Sequence, residues 1–510
     1  ENALKLERIR IEKNMKEDGY YNFDKQFISF DIDSNNLKRE VRVTVNIDNP
    51  KRNMITKDGL DTLVNYPHRI YSIQDIYIQI KSGDNRYSSV DTSTLEGYTF
   101  VNSTKNSIRP EVILRTMYFK QGDRYNLKHI EYTYNRLSSL KAFKSININV
   151  YPRSNDQNDT TLEVSVELEL NERHSYTIET EGTNRGGNLG VNGNFRLNNR
   201  NTFKGAEIFH FKVLGGLEAQ GTSFEQGKNV AASQIGGSIF NTVEYGFEVG
   251  LNIPELFIPK NNSKVPSYIK PSTEISFGYN YQFRSAYNRD IFNTALFYNW
   301  IIKSKNIFRV GLIDLSLVKI DKADWFQEKL DKSNNSLLIN SYQNHLIAAT
   351  KFQYEFNNSQ FKENSIRFKT TLESAGNLLR AMDDLAGSPK DITGSYYKLL
   401  NIIYAQYLML DGFITYRARL NRQTKAAYRI YGGIGVPLSN LNVLPFEKSY
   451  FGGGANFNRA WVSRTLGPGG MADTGSLAGI DRIGDIKFEA NFEYRFDIIG
   501  NIEGAYFIDA

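Results

Sequence analysis

The chain has no cysteine among its 510 residues, which excludes a disulfide framework and any thiolate nucleophile or thiolate metal site. Histidine is scarce: His68, His129, His174, His210 and His345 are scattered, and no two stand at metal-ligand spacing. A zinc centre or a catalytic triad therefore has no support, and ordinary surface or interior histidines fit better. Long apolar runs are missing as well. The most apolar stretch, residues 399–410, is broken by Asn401 and Gln406, whereas a membrane-spanning helix needs about 20 mostly apolar residues. A helical membrane protein is excluded; a closed β-barrel is not, because its strands need only about 10 residues and turn half of them away from lipid. Only 12 prolines occur, as expected where long hydrogen-bonded ladders leave few tolerant sites. The net charge of +6 is too small at this length to indicate nucleic-acid binding.

Aromatic residues, by contrast, are abundant. The 31 Tyr and 32 Phe suit the aromatic girdles of a membrane barrel, although a soluble aromatic-rich β protein fits the same total. The first third of the chain has a mixed rhythm. Leu6, Ile9 and Met15 recur at roughly helical spacing over residues 4–15, and strand-like runs follow at 26–32 and 40–47. Next come a strand at 71–80, helices at 109–118 and 127–140, and alternating strands at 142–151 and 161–170. From about His174 helices give way to long alternating strands. Residues 274–284 place Ile275, Phe277, Tyr279, Tyr281 and Phe283 on one face, and 485–496 place Ile486, Phe488, Phe492 and Tyr494 on one face. Weaker examples run over 366–373 and 428–436. Strands of a sandwich need only about 5–6 residues, and here the polar faces carry full charges, which suits a wet or plugged lumen inside a lipid-facing wall. Closure also satisfies every backbone group in lipid.

The β-α-α-β-β order of residues 70–171, with Gly122, Asp123, Tyr125 and Asn126 before its second helix, resembles a POTRA domain, the periplasmic module of outer-membrane assembly factors. The stretch 450–470 resembles the lid-loop signature of the BamA/TamA family: Gly452, Gly453 and Gly454, then Arg459, Ala460 and Trp461, then Gly467, Pro468 and Gly469. It departs from that pattern at Ala460, where members carry Gly, and at Trp461, where they carry Phe or Tyr; the Arg-Ala-Trp form is similar to the TamL-type lipoprotein branch. Phe507 and Asp509 resemble the family's Phe-x-Asp-x-Gly strand motif.

The resemblance implies an α+β POTRA module followed by an all-β antiparallel transmembrane barrel of about 16 strands. Residues 1–50 are then a partial POTRA-like domain, 51–171 a POTRA domain and 172–510 a barrel whose last strands lie beyond Ala510. No signal peptide precedes residue 4, so the sequence reads as a mature or trimmed segment. The implied function is folding and insertion of β-barrel proteins by strand templating at a weak seam. Alternatives are a two-partner secretion pore exporting a soluble client, and a passive porin or receptor. The implied partners are unfolded outer-membrane clients, outer-membrane lipids, and periplasmic or lipoprotein subunits bound through the arm; the arm lies in the periplasm, and no cofactor, metal or nucleic acid is called for.

On the residues alone, Arg459 could be a solvated loop cation and Glu493 and Asp509 ordinary lumen charges. A loop folded into the lumen, as the resemblance implies, makes that guanidinium need a carboxylate, and Arg reads one bidentately. The first barrel strand falls near residues 175–182, where Tyr176 and Ile178 are the only large outward side chains before Gly182, making it a candidate weak seam. No catalytic residue stands out. Gly432, Gly433 and Gly435 precede Pro437 rather than a helix, against a dinucleotide loop.

Overall fold

The computed structural model describes residues 2–510 apart from 36–39, 56–60, 82–90, 103–107, 155, 157, 186–187, 220–239, 258–268, 303–304, 333–338, 340–341, 360–362, 391–395, 442, 455–456, 462 and 467–481. It divides into two units: Glu1–Glu172 with Arg200–Ala206, and Arg173–Asn199 with Glu207–Ala510.

The N-terminal unit starts with helix α1 (Asn2–Glu17) and the antiparallel pair β1 (Ile28–Asn35) and β2 (Glu40–Ile47). No α1 residue is buried, and Val41, Val43, Val45 and Ile47 of β2 are exposed, so the alternation read there builds a strand with an uncovered apolar row. A hairpin, β3 (Lys51–Ile55) and β4 (Asp61–Asn65), follows.

The larger part of this unit contains β5 (Ser72–Lys81), β6 (Asp91–Leu95), β7 (Tyr98–Asn102), α2 (Pro110–Leu114), α3 (Leu127–Ser139), β8 (Phe143–Pro152) and β9 (Thr161–Leu170). The sheet order is β6-β7-β5-β9-β8, with β5 parallel to β9. Alternation in β5 and β9 buries Ile76, Ile78, Ile80, Val164, Val166 and Leu168 in one core with Ile113 of α2 and Leu137 of α3. Pro110 opens α2, where a missing N–H costs nothing. Asn126 caps α3, its side-chain oxygen accepting from the backbone N–H of Lys128 at 2.9 Å and of His129 at 3.3 Å. The β-α-α-β-β reading differs from the structure in two places. The hairpin β6–β7 extends the sheet beside β5; β6 is rich in Thr and Ser, and β7 offers only the short alternation of Tyr98 and Phe100, both buried in the core. The helix read over 109–118 stops at Leu114, because Thr116 turns its hydroxyl onto the Ile113 carbonyl at 2.6 Å and Met117 N–H bonds the Leu114 carbonyl at 3.1 Å, tightening and ending the last turn.

The second unit is one 13-stranded antiparallel sheet. Its first half runs β10 (His174–Arg185), β11 (Asn188–Arg200), β12 (Ile208–Ala219), β13 (Thr242–Ile253), β14 (Ile269–Phe283), β15 (Tyr287–Ile302) and β16 (Asn306–Lys322). After helix α4 (Asp324–Lys332) come β17 (His345–Asn357) and β18 (Ser365–Ala375). An excursion holding helix α5 (Asn377–Ala386) and the short pair β19 (Lys398–Leu399) and β20 (Ile402–Ile403) precedes β21 (Tyr407–Arg419). The sheet ends with β22 (Thr424–Pro437), β23 (Ile486–Ile499) and β24 (Ile502–Asp509). Strand neighbours follow chain order, and β10 and β24 each have one neighbour among the described strands.

The strands run 8–17 residues, as the dyad patterns predict. Phe277 and Phe488 are exposed on the outward face. On the same face Tyr279 donates its hydroxyl to Asp290 at 2.6 Å, Tyr281 stacks near Tyr245 at 4.9 Å, and Phe492 lies 5.1 Å from Tyr428. Cross-strand aromatic pairs of this kind stabilise a pleated wall by roughly 0.2–1 kcal/mol each. Among the described residues no helix is long and apolar enough to cross a membrane, which says nothing against crossing by strands.

Candidate functional site

The loop from β22 to β23 enters the space that the sheet encloses. Its first segment, residues 438–450, buries Leu441, Val443, Leu444 and Tyr450 against Ile347 and Ala349 of β17, Ala375 of β18, and Tyr407 and Met409 of β21. Gly433 makes room for this: a Cβ there would stand 2.6 Å from the Tyr450 ring. Glu447 accepts from Arg289 of β15 at 3.1 Å and faces Nε2 of His345 of β17 at 3.0 Å. Lys448 lies 2.7 Å from Glu373 of β18, which also accepts from the Tyr407 hydroxyl at 2.5 Å. Lys351, paired with Asp314, approaches the other Glu373 oxygen at 3.4 Å. Strands β15, β17, β18, β21 and β22 thus converge on one segment, which fixes their shared face as the interior.

Beyond Tyr450 the loop doubles back. Tyr450 and Gly484 exchange backbone hydrogen bonds, both 2.8 Å, closing its base. Arg464 N–H then bonds the Gly452 carbonyl at 2.9 Å, and Gly454 N–H bonds the Trp461 carbonyl at 2.8 Å. The left-handed positions fall at Gly453 (φ +80°), Gly454 (φ +102°) and Arg464 (φ +66°) rather than at Ala460. An alanine in the tip is therefore compatible with this path, since the conformations that favour glycine lie elsewhere. Arg464 is held over the Phe446 and Phe451 rings at 4.3 and 4.7 Å. Ala460 and Trp461 are exposed, and Gly467, Pro468 and Gly469 lie outside the described residues.

At the tip, Arg459 meets the wall. Its Nε and Nη2 donate to the two oxygens of Asp509, both at 2.8 Å, and its backbone N–H adds a third bond to the same carboxylate at 3.1 Å. Nη1 donates to Glu493 at 3.1 Å, and the guanidinium carbon sits 3.6 Å from the centre of the Phe507 ring. Strand register explains the convergence: Asn491 pairs with Asp509 and Glu493 with Phe507, so all four project to the interior face. The Asp509 side chain is 4% accessible and that of Arg459 27%. This bidentate, ring-backed geometry is what distinguishes Arg from Lys.

The structure thus brings together Arg459, Glu493, Asp509 and Phe507. Three contributors escaped the sequence reading. Asn491 donates to Asp509 at 3.0 Å and to the Phe457 carbonyl at 3.3 Å, and Arg495 holds the second Glu493 oxygen at 2.5 Å. Lys487 sits 3.5 Å over the Phe457 ring and 2.9 Å from buried Glu489. Each stands on the polar row of β23 at spacing two, which was the available signal. Tyr176 and Ile178 project outward from β10 and are exposed, opposite Leu197 and Phe195 of β11, and Gly182 faces Val191. They form a separate patch on the wall, not part of the loop cluster.

Burial pushes the Glu447 carboxyl up, but His345 and Arg289 more than reverse this and hold it below the ordinary carboxylate range. A depressed value means that its ionised pairing contributes fully above the ordinary Glu pKa of about 4.3 and is lost as pH falls through the lower folded value. Protease access to residues 438–450 should therefore stay low from pH 7 to 5 and rise steeply in stronger acid. Glu447→Gln should already expose the segment at pH 7 and flatten that dependence; an unchanged acid profile in the variant would assign the transition to another group.

Residues 205–510 match the family described as the Omp85 superfamily domain. No curated protein matches the chain. Among solved structures, BamA from Haemophilus ducreyi lacking POTRA domains 1–3 is similar over 100% of this chain and 80% of that one, at 12% identity and a TM-score of 0.54. CdiB from Acinetobacter baumannii is similar over 83% of this chain and 67% of that one, at 10% identity and a TM-score of 0.43. The first likeness shows a common fold.

Proposed function

This chain belongs to the Omp85 superfamily, and from that premise we propose that it folds and inserts other β-barrel proteins into the outer membrane. The observation that supports this reading best is the junction of loop and wall: Arg459 at the tip of the β22–β23 loop is held by Asp509 and Glu493 on the interior face of β23 and β24. On β10 the outward row offers only Tyr176 and Ile178 as large apolar side chains, which makes it the candidate for a weakly held seam. A seam that opens exposes a strand edge, ordinarily an aggregation hazard. On an assembly factor it is the working surface: a client strand adds by main-chain hydrogen bonds, which demand little of its sequence. In this reading the N-terminal unit is the periplasmic arm that receives clients and partner lipoproteins, and the β22–β23 loop is a lid held by Arg459.

Depletion followed by an inventory of outer-membrane proteins tests the proposal. Broad loss of barrel proteins is the expected result. Loss of one secreted protein with the barrels intact would point to a two-partner secretion pore, and a change in permeability alone to a passive porin; either would overturn it.

A further inference from the structure

Helix α5 is amphipathic in the reverse sense. A surface helix normally turns its apolar stripe to the protein and its charges to water. In α5 it is the polar side that bonds to protein: Asp383 accepts from the Tyr404 hydroxyl at 2.7 Å and Asp384 from the Tyr397 hydroxyl at 3.2 Å, while Arg380 stacks on the Tyr397 ring at 4.3 Å. Leu378, Met382 and Leu385, at i, i+4 and i+7, share the opposite face and are all exposed, Leu385 to 90%.

The helix stands outside the wall. On β17, His345, Ile347 and Ala349 point to the interior cluster, so Leu346 between them points outward, as does its β16 partner Leu317. Leu346 is nevertheless only 6% accessible, because Tyr397 and Tyr404 cover it, with Leu379 of α5 and Leu317 packed at the edge of the same cluster. The chain is pinned in this position. Gly376 takes φ +68°, its N–H bonds the Ala348 carbonyl at 2.8 Å, and a Cβ on it would lie 2.3 Å from the Ala405 carbonyl oxygen. Asn377 then donates to Ser374 Oγ at 2.9 Å and to the Tyr407 carbonyl at 3.2 Å, tying the first turn to the rim.

Just below that rim, Leu372 on β18 and its partner Leu410 on β21 are exposed on the outward face, and Leu408, opposite Ser374, continues the row to one pair short of the strand end. Leu378 follows the end of β18 at Ala375 within one helical turn, so the bare face of the helix starts at the end of the strand that carries that row. We propose that α5 is an interfacial helix, its Leu378–Met382–Leu385 face seated in the headgroup–acyl boundary at the end of the barrel where β18 finishes. Helices of this kind bury an apolar face roughly 5–10 Å into that boundary. With one Arg and two Asp the helix carries no polybasic patch, so the attraction is apolar contact rather than recognition of anionic headgroups. The inference rests on the membrane-barrel reading.

Because the chain lacks cysteine, single cysteines can be labelled cleanly in the full chain reconstituted into phospholipid vesicles. An environment-sensitive fluorophore at Leu385→Cys should shift to the blue and lose most of its emission to nitroxide lipids, as Leu410→Cys does in the belt. On α4, Glu328→Cys, where the parent side chain is exposed, should be quenched by aqueous iodide instead. If Leu385→Cys behaves like Glu328→Cys while Leu410→Cys is quenched by lipid, α5 is not interfacial and the barrel reading stands. If Leu385→Cys is shielded from both quenchers, protein covers the face and the proposal falls. If Leu410→Cys also escapes lipid quenching, the barrel reading itself fails and takes the proposal with it.

Discussion

Replacing Arg459 with alanine is expected to detach the loop tip from the wall and remove most assembly activity, while leaving the unfolding midpoint of the barrel close to that of the parent chain. The asymmetry follows from where the bonds are. Arg459 supplies four hydrogen bonds to the interior face of β23 and β24. Alanine removes the three from its side chain, leaving an inaccessible Asp509 carboxylate with Asn491 and the residue-459 backbone N–H as its remaining donors. Breaking a buried pair costs about 3–5 kcal/mol, and the partial exposure of Arg459 places this case towards the lower end. That penalty acts on the closed position of the loop, because the strands on either side are held by their own ladders. A disulfide between cysteines placed at Phe457 and Asn491 reads the loop position, since the Asn491 side chain donates to the Phe457 carbonyl in the parent. Its yield should drop in Arg459→Ala. Arg459→Lys should fall between, keeping the charge but losing the fork and much of the ring contact. Full cross-linking and full activity in Arg459→Ala would sink the lid role.

The wall was legible because its signal is long and repetitive. Ile275 to Phe283 and Ile486 to Tyr494 alternate over enough residues to fix strand, face and burial together, and β14 and β23 follow those patterns. Alternation put Glu493 and Asp509 on polar rows of adjacent strands, and the family resemblance, which folds the loop inward, made them partners for Arg459. What sequence could not supply was depth. Glu447 and Lys448 belong to no motif or periodic row, and only the fold shows that they reach strands far apart in the chain. Helix α5 was hidden for a related reason. Residues 399–410 drew attention as the most apolar stretch, whereas the helix just before it carries three apolar residues on one face and owes its unusual setting to hydroxyls of Tyr397 and Tyr404. The hairpin β6–β7 gives too short a signal to read: β6 alternates Thr and Ser, and the apolar row of β7 is only Tyr98 and Phe100, which the sheet beside β5 buries.

Glu373→Leu should be the most damaging single change inside the barrel. The Glu373 carboxylate is the common partner of Lys448, Lys351 and the Tyr407 hydroxyl, and its side chain is almost inaccessible. Removing it leaves Lys448 an ammonium without that carboxylate in a mostly buried position, at a cost of about 3–5 kcal/mol. Lys351 suffers less, because it keeps Asp314. The reciprocal change, Lys448→Met, should cost less, since Glu373 then retains Lys351 and Tyr407. Combining the two should recover part of the loss, because the double variant no longer strands the Lys448 cation in a mostly buried position. A thermal unfolding series on the parent, both single variants and the double variant closes the cycle, and coupling of roughly 0.5–3 kcal/mol is the range expected for residues in one network. Protease cleavage within residues 438–450 should track the same order, greatest in Glu373→Leu. Strict additivity of the two changes would mean that Lys448 and Glu373 do not depend on each other, and the segment would then be held in the interior by Glu447 and its apolar residues without that pair.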